Sequence, residues 1–195
     1  MANETPPLVW PTFSDNEARL EWWLACAKAY AEFWKYPVRP ASHAELDALE
    51  QRLGCSLPPL LRAYHARSGM LGFGDDWLAS VTPVVGYDCI APLKDYFPGV
   101  SDILEDEPDA EQQWALVNEL VAFGGTNNMW CFHRQTGEVW YCDHDTPPWF
   151  TQMFADVGGL FDALAFICLL DLHQSNDKTL LRQHLGDAVV DKWMY

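Results

Sequence analysis

The chain has 195 residues, 49% of them apolar and ten of them tryptophan, and carries a formal net charge of −16. A chain of this length and apolarity buries enough surface to fold without disulfide or metal staples, and it is not disordered. Its negative field repels phosphate backbones and anionic lipid, which argues against direct nucleic-acid or membrane binding. The same field attracts a basic protein, although acidity also serves simply to keep a protein in solution.

No apolar run approaches the roughly 20 residues needed to span a bilayer. The N-terminus, Met1-Ala2-Asn3-Glu4-Thr5-Pro6-Pro7, has neither a basic nor an apolar leader segment. The six cysteines (Cys26, Cys55, Cys89, Cys131, Cys142, Cys168) are scattered without a CxxC pair, as small buried hydrophobes in a reducing compartment would be. A cytoplasmic location is the expectation.

In chain order, residues 1–13 are proline-rich and extended. Ser14-Asp15-Asn16-Glu17 reads as a capping box. Leu20, Trp23, Leu24, Ala27, Tyr30, Ala31 and Trp34 follow at three- and four-residue steps, the stripe of an amphipathic helix that Pro37 stops. Ser42-His43-Ala44-Glu45 is a second capping box, opening a short helix with Leu46, Leu49 and Leu53 inward and Gly54 at its stop. Leu57-Pro58-Pro59 starts a third helix, with Leu60, Leu61 and Tyr64 buried and Gly69 closing it. Residues 69–77 read as glycine-rich and irregular, 81–87 as a strand weakened by Pro83, and 90–104 as a short helix of uncertain extent. Residues 102–111 hold six acidic side chains and a proline and read as an exposed loop or insertion.

The β signal is clearest at 116–123, 129–133 and 138–143, the last two forming a hairpin about Thr136-Gly137. Asp156 caps a helix bearing Leu160, Phe161, Leu164, Ile167 and Cys168. Asp177 caps a last helix to about Leu185. Helices, then strands, then helices define an α+β fold with a mostly antiparallel sheet rather than alternating βαβ units.

Two stretches resemble the SUKH superfamily of bacterial immunity proteins, which also includes fungal cell-wall regulatory proteins. One is the run Ala44-Glu45-Leu46-Asp47-Ala48-Leu49-Glu50-Gln51-Arg52-Leu53-Gly54, followed by Leu57-Pro58 and a helix ending at Ser68-Gly69. The other is Val121-Ala122-Phe123-Gly124-Gly125, then 129–133, then Gly137-Glu138-Val139-Trp140-Tyr141-Cys142-Asp143-His144-Asp145. The resemblance implies one SUKH-like core domain over 38–170. An N-terminal extension with its amphipathic helix occupies 1–37, and a C-terminal helix packed on the core occupies 171–195. It also implies a role by direct protein binding: neutralising a cognate toxin, often a nuclease, or acting as a regulatory or scaffold module with no toxin partner.

Two acidic groups are the candidate partner-binding residues. Asp102, Glu105, Asp106, Glu107, Asp109 and Glu111 offer carboxylates to Lys and Arg of a basic toxin. Asp75, Asp76 and Trp77 join charge to an aromatic anchor. Their bland alternative is a solvated face. Cys131, His133, Cys142 and His144 would share one sheet face if Cys131 lies opposite Cys142 and His133 opposite Trp140, and two thiolates with two imidazoles can hold zinc. A one-residue slip would scatter that face. Asp143-His144-Asp145 has the residue types of an acid–base group, but no nucleophile or second base accompanies it. The expectation is a binding protein without catalytic residues or cofactor.

Overall fold

The computed structural model describes residues 5–73 and 76–194. The first helix, α1 (Asn16–Trp34), starts one residue later than a Ser14 cap requires. Asp15 is the cap, its Oδ1 accepting the Ala18 N–H at 2.8 Å, and Ser14 Oγ donates to the other oxygen of Asp15 at 3.0 Å. Leu20, Trp23, Cys26, Ala27, Tyr30 and Ala31 are buried; Leu24 is half-buried and Trp34 exposed. The second helix, α2 (His43–Leu53), has both halves of the capping box at Ser42 and Glu45 and ends on Gly54 at φ 69°. The third, α3 (Pro59–Arg67), begins with proline at N1 and buries Leu61, Tyr64 and His65, with Leu60 only half-buried.

The stretch expected to be irregular contains a small antiparallel pair, β1 (Gly72–Phe73) and β2 (Asp76–Trp77). Residues 81–87 are not a named strand; they form turns with an isolated bridge between Val84 and Tyr87. Then come β3 (Ala91–Pro92), α4 (Leu93–Tyr96), α5 (Val100–Leu104) and α6 (Ala110–Glu119). The acidic stretch is therefore not a loop but the end of one helix, a turn and the start of the next. The expected strand at 116–123 is split, because α6 runs to Glu119 and β4 (Leu120–Gly124) begins only there. β5 (Met129–His133), β6 (Val139–Cys142), β7 (Phe150–Phe154), α7 (Val157–Leu172), α8 (Thr179–Leu185) and α9 (Asp187–Trp193) complete the chain.

The main sheet runs β3-β4-β5-β6-β7, antiparallel throughout. One face (Val121, Phe123, Trp130, Phe132, Val139, Tyr141) lies in the larger core with residues of α1, α3 and α7. The other (Leu120, Ala122, Met129, Cys131, Cys142) is covered by Leu93, Val100, Leu104 and Val117 from α4–α6. Each large side chain fully buried in these layers contributes about 2–3 kcal/mol of transfer free energy. The small pair abuts the main sheet at Gly124, whose Cβ position lies 2.5 Å from the Trp77 carbonyl oxygen. Only glycine allows that approach, and Gly125 N–H donates to the same oxygen at 2.7 Å.

The first helix is pinned to the seventh by a polar clamp. Arg19 Nε and Nη2 donate to the Asp162 carboxylate at 2.5–3.1 Å, and Trp23 Nε1 donates to Oδ1 at 2.8 Å. An ion pair this enclosed is held in register by its complete hydrogen bonding.

Candidate protein-binding surface

The six carboxylates of the acidic stretch sit on a firm base. Val100 and Leu104 of α5 and Val117 of α6 are buried against the sheet, and Ile103, Trp114 and Phe97 pack partly beside them. That leaves Asp102, Glu105, Asp106, Asp109 and Glu111 exposed on the outer side. Glu107 differs: it is half-buried, and its Oε1 accepts the Trp149 indole N–H at 2.7 Å, tying the α5–α6 turn to the start of β7. Asp109 accepts from Gln113 at 2.6 Å on the surface. From residue 88 to 118 the chain has eight acidic residues and one lysine, Lys94. Within this segment the negative charge is therefore nearly uncompensated, and its carboxylates ride on packed helices and the turn between them rather than on a loop.

The second acidic group has another role. Asp76 accepts from Trp193 Nε1 at 2.8 Å through Oδ2 and from Trp130 Nε1 at 3.4 Å through Oδ1. It ties the sheet to the last helix. Trp77 is half-buried, its ring 5.7 Å from Tyr36 and 5.3 Å from Tyr87 in edge-on contacts. Asp75 lies outside the described residues. The expected pairing of free charge with an exposed aromatic anchor is thus not what Asp76 and Trp77 form.

The hairpin register differs by two residues from the zinc arrangement. Cys131 pairs with Trp140 and Cys142 with Met129, because the turn is 134–137, with Gly137 at φ 76° and its N–H on the His133 carbonyl. Cys131 and Cys142 do share a face, but that face is buried. Burial, then Cys142, pushes the Cys131 thiol well up; burial, then Asp143, pushes Cys142 to about 12. Both side chains pack in the apolar layer between the sheet and α4–α6. His133 stands at the turn end of the hairpin, its Nδ1 accepting from the N–H groups of Gln135 and Thr136 at 3.3 and 3.4 Å. His144 stands beyond the opposite end, its Nδ1 3.0 Å from Asn128 Oδ1. Among the described residues no three His, Cys, Asp or Glu side chains gather as metal ligands would.

Asp143-His144-Asp145 is a strand-end brace. Asp143 Oδ1 accepts the N–H groups of Asp145 and Thr146 at 3.0 and 3.1 Å, and Lys192 of α9 donates to Oδ2 at 2.6 Å. Burial acts to raise this carboxyl, but Lys192 and the two N–H groups outweigh it and hold it below its ordinary value. Asp143 is thereby committed to holding α9 and the β6–β7 connection in place. No helix among the described residues is long and apolar enough to cross a membrane.

An antiparallel sheet covered by helices on both faces, with an added helix before it, defines an α+β domain. The sequence model of the SMI1 / KNR4 family (SUKH-1) matches residues 40–158, more than half of the chain, and the chain belongs to that family. No curated protein and no solved structure matches it. The matched span contains α2 to β7 and the whole acidic face, whereas α1, α8, α9 and nearly all of α7 lie outside it.

Proposed function

We propose that this chain is an immunity protein that binds a cognate toxin through the outer side of α5 and α6 and neutralises it by direct contact. The observation that carries this reading is the face itself: exposed carboxylates mounted on two packed helices, with one lysine nearby. Membership of a family that includes immunity proteins supports it. Such a face accelerates encounter with a basic partner and rejects acidic ones. A toxin that acts on nucleic acid has a basic cleft for its substrate. Carboxylates set over that cleft compete with phosphate for the same Lys and Arg side chains, or occlude it, without any chemistry by the immunity protein.

The test is affinity capture from the native host with the tagged chain, washed at rising salt, with bound proteins identified by mass spectrometry. The expected result is one basic protein that arrests growth when expressed alone and not when expressed with this chain. Capture only of proteins harmless on their own would instead indicate a regulatory or scaffold module of the same fold.

A further inference from the structure

Beyond the family core, the added elements enclose a cleft of their own. It has a volume of about 930 Å³ and lies among the C-terminal ends of α1 and α7 and the segments around α8 and α9. Its walls carry Tyr30, Trp34, Tyr36 and Trp193, and of its lining only Phe73 and Asp76 fall within residues 40–158. The charged lining groups are Asp76, Asp171 and Lys178. Asp76 already accepts from two indoles, one on each oxygen.

Asp171 is different. It is exposed, and Tyr30 Oη and Trp34 Nε1 both donate to its Oδ2 at 2.9 Å. Neither bond uses Oδ1. The same two bonds fix the Tyr30 and Trp34 rings, whose centroids lie 6.4 Å apart, beside the carboxylate; Tyr36 stacks on Tyr30 at 5.8 Å. Trp34 nevertheless remains 50% exposed and Phe33 56%, with the two rings edge-on at 5.1 Å. Large aromatic surface left in water beside an aromatic cleft is a feature of binding sites rather than of the rest of a protein surface.

We infer that this cleft receives an arginine side chain from a basic segment of another protein, its guanidinium stacked on the exposed Trp34 ring, which the buried Tyr30 and its partner Tyr36 back, and donating to Asp171 Oδ1. Arginine suits both halves of the site. Its planar cation stacks on aromatic faces and its N–H groups donate to a carboxylate. The volume accommodates the flanking residues of a short peptide segment. A second copy of this chain is the poorer occupant, because each copy has a net charge of −16 and the approach would be repulsive. This extends the immunity reading by giving the partner a second, chain-specific point of attachment on elements outside the family core.

The test uses the full chain, nitrogen-15 labelled, titrated with the capped tripeptide acetyl-Leu-Arg-Leu-amide and with its citrulline counterpart, which has the same shape without the charge. The expected result is a shift of the Trp34 indole resonance by the arginine peptide, with citrulline binding about tenfold weaker. Asp171→Asn, which keeps an acceptor for Tyr30 and Trp34, should weaken the arginine peptide by a similar factor without changing the melting temperature. Trp34→Leu should do the same if the ring is a stacking surface. Equal binding of both peptides, no shift at millimolar peptide, or shifts confined to α5–α6 would overturn the assignment. So would concentration-dependent Trp34 shifts of the protein alone, which would mean self-association at the cleft. Arginine recognition without a growth-arresting partner would sink the immunity reading and leave the cleft; a captured toxin with no arginine effect would do the reverse.

Discussion

The two acidic groups that stand out in the sequence turn their carboxylates in opposite directions. Asp76 points inward and satisfies two indole N–H groups, whereas Glu105, Asp106 and Glu111 point outward. The contrast extends through the molecule. Of the ten tryptophans, Trp23, Trp34, Trp130, Trp149 and Trp193 donate to the carboxylates of Asp162, Asp171, Asp76 and Glu107. An indole N–H is a donor with no acceptor capacity, and a carboxylate is its complement. The net charge of −16 thus includes acids that pair with tryptophan in building the fold and acids left exposed on the outer side of α5 and α6. Composition alone does not separate them.

Changing an inward acid should damage stability, and changing outward acids should damage only association. The largest effect belongs to Asp162→Ala, which strands the Arg19 guanidinium and the buried Trp23 indole. We expect a loss of about 3–5 kcal/mol in denaturant unfolding, a range typical of a broken enclosed ion pair. Replacement with no measurable loss would mean that the clamp between α1 and α7 is ornamental.

Acid pH sharpens the comparison next. His65 is buried, its Nε2 has no hydrogen-bond partner among the described residues, and desolvation lowers its pKa to about 4. The unfolded chain binds that proton near the ordinary value of 6.5, so stability is full above it and falls as pH drops towards 4. The loss is on the order of 3 kcal/mol. Asp143, held below its ordinary value, acts lower still: its contribution is present above the unfolded carboxylate value and is lost as pH falls through the folded one. Unfolding curves of His65→Leu should therefore be flat across the upper window and still decline in the lower. A decline in the upper window as steep as that of the unmodified protein would remove His65 from the account.

Asp76→Ala should cost about 2 kcal/mol, since it leaves the Trp130 and Trp193 indoles without their acceptor. Loosening of the C-terminal helix, seen as faster amide exchange in α9, is the accompanying sign. The smallest stability effect belongs to the triple change Glu105→Lys, Asp106→Lys and Glu111→Lys, expected within about 0.5 kcal/mol of the unmodified protein. Glu107 is left alone in that set because of its bond to Trp149. A cooperative loss of fold in this variant would place these acids in the inward population.

The parts of this pattern visible in the sequence are those with local causes. The capping box at Ser42 and Glu45, Gly54 at φ 69°, and Asp156 on the N–H of Gly159 each act within one turn of helix. So does the helical stripe of α1. The sheet is harder to read because both its faces are covered. Leu120–Gly124 is buried at every position, so it shows no alternation to separate it from the helix that precedes it. The short elements β1, β2 and α4 form because tertiary packing closes over them, and their own residues give little signal. β7 and α9 fall into the same class. The hairpin register depended on whether two or four residues make the turn, and a two-residue shift kept Cys131 and Cys142 on one face but no longer opposite each other, with His133 at one end of the hairpin and His144 beyond the other. The outward acids were legible as a charge run. What was not legible is that they ride on helices, that Glu107 is tied to Trp149, and that distant Trp193 claims Asp76. Those are contacts across 42 and 117 residues of sequence.

The outward face is tested most directly by stopped-flow association of the captured partner with the unmodified chain and with the triple lysine variant, from low to high salt. Steering by Glu105, Asp106 and Glu111 requires fast association that slows steeply with salt for the unmodified chain. The variant should be at least about tenfold slower at low salt and nearly indifferent to added salt. Equal rates and equal salt dependence for the two proteins would contradict it and move the partner's contact off α5 and α6.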